Sequence, residues 1–286
     1  MTKRSPSKAP GFLARLARAR PTRPGEIYGV PGQGNTFWLS VSSVAVLLFV
    51  WWLVTALGLV KPLFVPSPVS VVAKFVSIWQ NGFTNTSFLD HVLISTFRVF
   101  GAFLLACVIG LPLGLAMGMS PFVRGIFDPP IEFYRPIPPL AYLPLMIIWF
   151  GIGETSKVLL IFLSVFAPVV LGARSGVKSA AIEQIHAAYS FGATRWQVMR
   201  HVIMPSAMPE ILTAMRVGIG FGWTTLVAAE MVAATKGLGY MVLSASQFLQ
   251  TPVVIMGIFV IAIIAFAFDL LMRFLERRLV PWKGKM

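Results

Sequence analysis

Polar side chains interrupt an apolar stretch at about residues 207–234, and they are the residues best placed to do chemistry. Thr224 and Thr225 follow Trp223, and Glu230 lies about one helical turn further on. Groups that ionise or form hydrogen bonds are costly inside an apolar segment, and they commonly mark the path of an ion or a polar substrate. The sequence therefore predicts that these four residues border a translocation pathway, although Thr225 could instead return its hydrogen bond to its own helix.

A proline-rich stretch, PPIEFYRPIPPLAYLP, is a second candidate for the pathway. Its prolines cannot donate backbone hydrogen bonds, so carbonyls one turn earlier lose their partners. An unpaired carbonyl is expensive in hydrocarbon, so such a segment is either buried in protein or lines a water-filled path. We expect it to line the path, with a purely structural kink as the alternative. The residues predicted to border the path here are Arg135, Pro138, Pro139 and Tyr142.

The sequence contains no recognisable pattern for catalysis or metal binding. His91, His186 and His201 lack the spacing of metal ligands, and no nucleophilic triad or pair of carboxylates is legible. A glycine-rich phosphate loop is also absent, so ATP hydrolysis would have to belong to another chain. We therefore expect no catalytic residue, metal or cofactor, which disfavours a membrane enzyme. A secondary transporter driven by an ion gradient stays open, although the two halves show no inverted repeat.

The composition indicates the class of protein that must position these residues. Of the 286 residues, 57% are hydrophobic and only 12% are charged, and the mean hydropathy is +0.80. Such values predict an all-α polytopic membrane protein. Cys107 is the only cysteine, so the chain cannot form an internal disulfide. Six apolar segments are predicted to cross the membrane, at about 37–60, 92–118, 131–150, 157–173, 207–234 and 252–274.

The net charge of +14 reflects membrane topology rather than nucleic-acid binding, because most of the basic residues lie at the ends and in certain loops. A cytoplasmic N-terminus places 19 of the 24 Lys and Arg residues on the cytoplasmic side, so both termini are predicted to lie there. The predicted division is a basic tail at 1–36, a first transmembrane helix at 37–60, a periplasmic segment with a short interfacial helix at 61–91, a transmembrane core at 92–274 and a basic end at 275–286.

Small residues recur at intervals of four in two of the predicted spans. Gly110, Gly114 and Gly118 share one face of the second span, and Gly218 and Gly222 share one face of the fifth. Such faces allow helix backbones to approach closely. We expect them to pack helices within one chain or between two copies.

The stretch AIEQIHAAYSFGATRWQVMRHVIMP, residues 181–205, is the main polar interruption in the second half of the chain. Apolar residues recur at helical spacing on both sides of Gly192, which predicts two short helices and a turn. Gly192 can adopt the left-handed conformation that ends the first helix, and Thr194 can cap the second. Pro205 is predicted to end the second helix, and Ser206 to cap the next. The alternative is a surface hairpin that binds no partner.

The same stretch resembles the coupling loop of inner-membrane permeases of ABC importers, E-A-A-x3-G-x9-I-x-L-P. It departs from that pattern at His186, which replaces glutamate, and at Val202 and Met204, which keep apolar bulk. Between about Phe64 and Trp282, longer stretches such as SPFVRGIFDPPIEFYRPIPPLAYLPLMIIWFGIGETSK resemble the nitrate, sulfonate and taurine branch of that family. The resemblance implies that the loop docks on an ATPase through His186, Ala187, Ala188, Gly192, Ala193, Trp196, Met199 and Pro205.

The resemblance also implies the architecture and the partners. It implies a type I importer with two permease copies in the lipid of a bacterial inner membrane, two ATPase subunits that bind the ATP, and a periplasmic substrate-binding protein. The implied substrate is a small sulfonate, taurine first, with nitrate, bicarbonate and other aliphatic sulfonates as alternatives. Specificity would then reside largely in the binding protein.

Overall fold

The computed structural model describes residues 37–282, so the predicted basic tail at 1–36 and the end of the chain at 283–286 lie outside it. Within that range the chain is helical and contains no strand. The helices are α1 (Phe37–Ala56), α2 (Pro68–Asn81), α3 (Phe88–Met119), α4 (Pro121–Tyr134), α5 (Leu143–Phe150), α6 (Glu154–Val177), α7 (Ile182–Ser190), α8 (Arg195–Val198), α9 (Met204–Ala233), α10 (Leu238–Gln247) and α11 (Thr251–Leu279), with a 3₁₀ turn at Pro139–Tyr142 and a π turn at Met199–Ile203.

The described residues divide into two compact units, one before and one after the boundary between Val69 and Ser70. In the first unit, the segment after α1 folds back along the helix, because the Trp51 indole Nε1 donates to the Pro66 carbonyl oxygen at 3.0 Å. Most side chains of α1 are exposed and apolar, which suits a helix that faces lipid. The second unit holds the helical bundle and every site described below.

Five helices in the described residues are long and apolar enough to cross a membrane, one fewer than predicted. They are α1, α3, α6, α11 and a continuous helical segment at Arg195–Ala233 that contains α8 and α9. The predicted third span, 131–150, is not a single helix, since α4 ends at Tyr134 and only the eight residues of α5 follow the 3₁₀ turn. Prolines at 136, 138 and 139 explain the break, because three missing N–H donors in four positions cannot sustain a helical ladder.

Helix α6 packs between α3 and α9 and forms the centre of the second unit. Its residues Val165, Val169 and Val170 are fully buried. The predicted small-residue faces explain the close approach on both sides: a Cβ added at Gly114 would fall 2.7 Å from the Ala173 Cβ, and one added at Gly218 would fall 3.2 Å from Val165 Cγ1. These glycines therefore pack helices within one chain.

Replacing Gly114 with leucine should strongly destabilise the bundle. A side chain there must displace the α6 backbone at Val170, and overpacking of this kind typically costs roughly 1–3 kcal/mol. We expect reduced membrane abundance and a lower unfolding temperature for Gly114→Leu. Gly101→Leu on the same helix is the matched control, since nothing lies within 4 Å of a Cβ at Gly101. Equal behaviour of the two variants would contradict the packing role.

Two short features differ from the predictions. The segment GIGETSK predicts that Thr155 or Ser156 caps the fourth span, but the corresponding helix α6 begins at Glu154 after Gly153, with no side-chain cap. The prediction was wrong because the extended backbone of Gly153 starts the helix earlier, so that Ser156 lies inside it and donates to the Gly153 carbonyl at 3.1 Å. Helix α10 was not predicted, because ten residues of mixed polarity resemble a loop between two spans.

Candidate functional site

The polar stretch 181–205 forms the predicted helical hairpin. Helix α7 ends before Gly192, which adopts φ +83°, the left-handed conformation expected at this turn. Thr194 caps α8 in a reciprocal arrangement: the Gln197 amide donates to Thr194 Oγ1 at 3.4 Å, and the Thr194 amide donates to Gln197 Oε1 at 2.7 Å. This capping box fixes the direction of α8 relative to the turn. We call α7, α8 and the turn between them the coupling hairpin.

Pro205 does not end the second helix, so that prediction was wrong. The π turn carries α8 directly into α9, and Pro205 lies in the first turn of α9. Proline is tolerated there because the longer π turn accommodates its missing donor. Ser206 is not a cap either, since its hydroxyl donates to the Val202 carbonyl at 2.8 Å. The result is one 39-residue helical segment that joins the coupling hairpin to a membrane-length helix.

The predicted apolar stripe of α8 divides between two environments. Met199 packs against the buried cluster around Ala173 and Ala207 at the end of the bundle, whereas Trp196 is 69% exposed. Phe191 at the turn is 92% exposed and was not singled out from the sequence. The feature of the sequence that could have identified it is a large aromatic residue directly before the glycine of the turn. Both exposed aromatic residues belong to the kind that anchors protein interfaces.

A cavity of about 670 Å³ lies between the broken third segment and the face of α6 and α9. Four of the predicted pathway residues line it, namely Arg135, Pro138, Pro139 and Tyr142. Polar groups from other elements line it as well, namely Ser164 and Ser175 of α6 and Glu210 and Thr213 of α9. The sequence analysis did not identify these polar residues, because they come close to Arg135 only when the broken third segment, α6 and α9 pack together.

The other predicted pathway residues lie elsewhere. Trp223 is buried against Phe268, with 5.8 Å between ring centroids, and its indole N–H has no acceptor among the described residues. Thr224 returns its hydroxyl to the Phe221 carbonyl at 2.9 Å. Thr225 is buried, and Glu230 is fully buried away from the cavity. The structure therefore brings together four of the eight predicted pathway residues, and a role in transport remains a prediction for all of them.

Glu230 lies in a buried ionic cluster at the end of the bundle opposite the coupling hairpin. Its carboxylate accepts from Arg98 Nη1 at 2.6 Å, from Ser95 Oγ at 2.8 Å and from the Gly239 amide at 2.8 Å. Arg98 also donates to Glu154 through Nε and Nη2, both at 2.6 Å. We call Ser95, Arg98, Glu154 and Glu230 the ionic cluster. It joins α3, α6, α9 and the start of α10, so its role is to fix these helix ends.

The connection between α9 and α10 is held from the same side. Arg98 Nη1 donates to the Lys236 carbonyl at 2.8 Å, and the Gly237 amide donates to His91 Nδ1 at 3.0 Å. Any Cβ at Gly237 would collide with the Glu230 carboxylate, so only glycine fits. The sequence predictions did not include Arg98 and Ser95. The available signal was a charged residue within a predicted apolar span, which ordinarily has a buried partner.

The membrane-length helices, the mainly apolar cavity with its few polar groups and the exposed hairpin are features expected of the transmembrane subunit of a transporter. The chain belongs to the family of binding-protein-dependent transport system inner membrane components, whose pattern matches residues 110–281. It is therefore a membrane-bound permease subunit of an ABC importer and not an enzyme, because ATP hydrolysis in such transporters belongs to separate subunits. The predicted family membership is confirmed.

Curated relatives place the chain in the predicted branch of that family. It is 56% identical over 249 residues to the taurine transport system permease protein TauC of Escherichia coli K12, covering 87% of this chain and 90% of the relative. It is 34% identical over 255 residues to the putative aliphatic sulfonates transport permease protein SsuC of Bacillus subtilis 168, covering 89% of this chain and 91% of the relative. A nitrate import permease protein, NrtB of Synechocystis, is 29% identical over 85% of this chain and 89% of its own length.

Solved structures support the fold. A structure of the MetNI methionine ABC transporter in an inward-facing conformation aligns with a TM-score of 0.54 and 19% identity, over 68% of this chain and 94% of the other. An amino acid ABC transporter aligns with a TM-score of 0.52 and 22% identity, over 73% of this chain and 96% of the other. The all-α permease fold predicted from the sequence is confirmed.

Proposed function

We propose that this chain is the permease subunit of an ATP-driven importer that carries taurine across a bacterial inner membrane. The observation that carries the proposal is the 56% identity to a taurine transport permease over 87% of the chain. Nitrate, bicarbonate and other aliphatic sulfonates remain the alternatives within the branch. The proposed complex contains two copies of this permease, two ATPase subunits and a periplasmic substrate-binding protein.

The cavity between the broken third segment and α6–α9 is the proposed path of the substrate. It offers a guanidinium from Arg135 and a carboxylate from Glu210, together with several hydroxyl groups. Taurine carries a sulfonate and an ammonium group at neutral pH, so charges of both signs suit it better than they suit nitrate. Arg135 forms an ion pair with Glu132, with 3.6 Å between Nη2 and Oε2. The side chains of Arg135 and Glu210 are both exposed. Contacts to such solvated groups are weak, which permits release.

The coupling hairpin is the proposed docking site for the ATPase. Phe191 and Trp196 project from it without partners in the bundle core, so a groove on the ATPase could bury them. Because α8 continues into α9 without a break, a displacement of the hairpin would move a helix that lines the cavity. This continuity gives a physical route from ATP-driven motion to the path.

The proposed orientation places the coupling hairpin and both termini in the cytoplasm. It follows from the distribution of basic residues, which are concentrated in the segments on that side. The ionic cluster and α2 then lie at the periplasmic side, as does the proposed periplasmic segment at 61–91. The proposed boundaries of the tail, the first helix, the core and the C-terminal end stay as predicted from the sequence.

Growth of a deletion strain tests the proposed substrate. A sulfur-starved strain that lacks this gene and has no other taurine system should fail to grow on taurine but grow normally on sulfate. Plasmid-borne expression of the chain should restore growth on taurine. Normal growth of the deletion strain on taurine would refute the assignment. Loss of growth on nitrate as sole nitrogen source would favour the nitrate alternative instead.

Glu210→Gln should reduce taurine uptake about tenfold. Among the described residues that line the cavity, Glu210 supplies the only carboxylate, and losing a charge-assisted hydrogen bond to the ammonium group costs roughly 1.5–3 kcal/mol when the contact is desolvated. Because Glu210 is exposed, the lower end of this range, about 1.5 kcal/mol, applies, and it corresponds to roughly a tenfold loss. Uptake of labelled taurine by cells with equal membrane abundance of the chain is the measurement. Asp90→Asn, which removes a charge at the start of α3, serves as the control and should leave uptake unchanged. Equal uptake by all three proteins would contradict a role for Glu210.

A further inference from the structure

A small polar cavity lies between α9 and α11, near the end of the bundle that carries the coupling hairpin. It has a volume of about 350 Å³, and three arginines line it, Arg216 from α9 and Arg273 and Arg277 from α11. Of the described residues, only one with a carboxylate, Glu276, lines it with them, and Asp269 lies one helical turn before Arg273 in α11. The proposed transport path, which runs along the other face of α9, does not use these residues. Their charge therefore needs a separate explanation.

The ion pairs within this group leave positive charge unneutralised. Arg273 Nε donates to Asp269 Oδ2 at 2.7 Å, whereas Arg216 is only loosely paired, at 3.8 Å from Asp269 and 3.6 Å from Glu276. Arg277 forms no ion pair within residues 37–282. Three guanidinium groups thus face two carboxylates around one cavity. An anion with a single charge and several acceptor oxygens would balance the group, and arginine is well suited to bind phosphate oxygens.

The depth of the cavity indicates where that anion comes from. Arg216 lies 17 residues before the end of α9 at Ala233, which is about 26 Å at 1.5 Å per residue. Arg273 lies 22 residues after the start of α11 at Thr251, which is about 33 Å. With the other ends of the two helices, Ala233 and Thr251, placed at the opposite edge of the membrane, both arginines fall close to the boundary of a hydrocarbon core about 30 Å thick. The guanidinium groups from two helices therefore converge at the level of the lipid phosphates.

The surface beside the cavity suits acyl chains. The outward face of α11 on the membrane side of the arginines is apolar and exposed, with Ile263, Phe266 and Leu270 at helical spacing before Arg273. We propose that Arg216, Arg273 and Arg277 bind the phosphate headgroup of an anionic phospholipid in the leaflet on the side of the coupling hairpin, with its acyl chains along this face. Basic pockets between transmembrane helices are a recognised way to hold such headgroups.

The test compares two neighbouring arginines of α11. The full-length chain is purified into nanodiscs with equal amounts of phosphatidylglycerol and phosphatidylcholine, and the lipid that stays bound is measured by native mass spectrometry. Wild-type protein should retain phosphatidylglycerol preferentially. Arg277→Gln should reduce that preference about fivefold, the effect expected of one basic residue near a phosphate. Arg278→Gln is the matched control, because Arg278 carries the same charge one residue later but does not line the cavity.

The outcomes separate a built site from diffuse attraction and from a soluble ligand. Equal losses from Arg277→Gln and Arg278→Gln, or no preference in the wild-type protein, would overturn the proposal. Both variants alter exposed side chains, so folding should be retained. Millimolar inorganic phosphate should not displace the bound phosphatidylglycerol, since it lacks acyl chains. Complete displacement would show that the arginines hold a free anion rather than a lipid.

Discussion

We expect Gly192→Val to reduce taurine uptake and recovery of the ATPase partner by roughly 5- to 150-fold while leaving membrane insertion intact, which is the largest expected effect on function. Gly192 has φ +83°, a conformation that a β-branched residue adopts only under strain of roughly 1–3 kcal/mol. No atom lies within 4 Å of an added Cβ, so the effect acts through the backbone and not through a clash. The turn would rearrange and tilt α7 relative to α8.

Gly192→Asn is the control for this variant, because asparagine tolerates the left-handed conformation far better than valine does. It should retain most of the uptake. A coupling free energy of the size of the strain corresponds to a loss of roughly 5- to 150-fold for valine. Membrane abundance, ATPase recovery and uptake are to be measured in the same preparations. Equal uptake by the valine and asparagine variants would show that the geometry of the turn does not matter for coupling.

A second arm removes contact surface without altering the backbone. Phe191 is 92% exposed, so Phe191→Ala removes almost nothing from the bundle itself. If Phe191 anchors the ATPase, its loss should cost at least about 2 kcal/mol of binding, which reduces recovery of the ATPase about 30-fold. Phe122→Ala changes an aromatic residue that is 76% exposed outside the hairpin, and it should have no effect on recovery. Normal ATPase recovery with Phe191→Ala would show that docking uses another surface.

The sequence could predict the hairpin because local chemistry determines it. The turn between the two short helices needs a residue in the left-handed conformation, which Gly192 can adopt. Thr194 and Gln197 have the spacing of a capping box, which depends only on the residues at the start of α8. The long apolar helices were predictable for a similar reason, since their length and composition match the bilayer. Pro205 was misread because the rule for proline applies to an ordinary α-helix, and the π turn before it changes the hydrogen-bond pattern.

The ionic cluster was out of reach because its members are far apart in the chain. Arg98 and Glu230 are 132 positions apart, and Arg98 and Glu154 are 56 apart, so no local pattern pairs them. The count of basic residues leaves Arg98 among those outside the cytoplasm, and it says nothing of which residue Arg98 contacts. Its near-complete burial requires a specific carboxylate, which becomes known only once α3, α6 and α9 are packed together. The same limitation concealed Glu210, whose position opposite Arg135 depends on α9 lying against the broken third segment.

The largest expected effect on stability is that of Arg98→Met. Methionine has a comparable length and leaves Glu230 fully buried without its cationic partner, with only Ser95 and the Gly239 amide to bind it. Removing one partner of a buried ion pair typically costs about 3–5 kcal/mol, because the remaining charge has lost its hydration and its counter-ion together. We expect a strong fall in membrane abundance and in the unfolding temperature of the purified chain.

The double variant Arg98→Met/Glu230→Gln distinguishes an uncompensated charge from lost packing. Glutamine removes the buried negative charge, and its side-chain oxygen can still accept from Ser95 and from Gly239. The double variant should therefore be more stable than Arg98→Met alone, which is the sign of direct coupling between the two positions. Arg273→Gln provides the scale for an ordinary ion pair, since that arginine is 52% exposed and its pair with Asp269 is worth at most about 0.5 kcal/mol. If Arg98→Met behaves like Arg273→Gln, or if the double variant is less stable than the single one, then the buried pair does not hold the helix ends together.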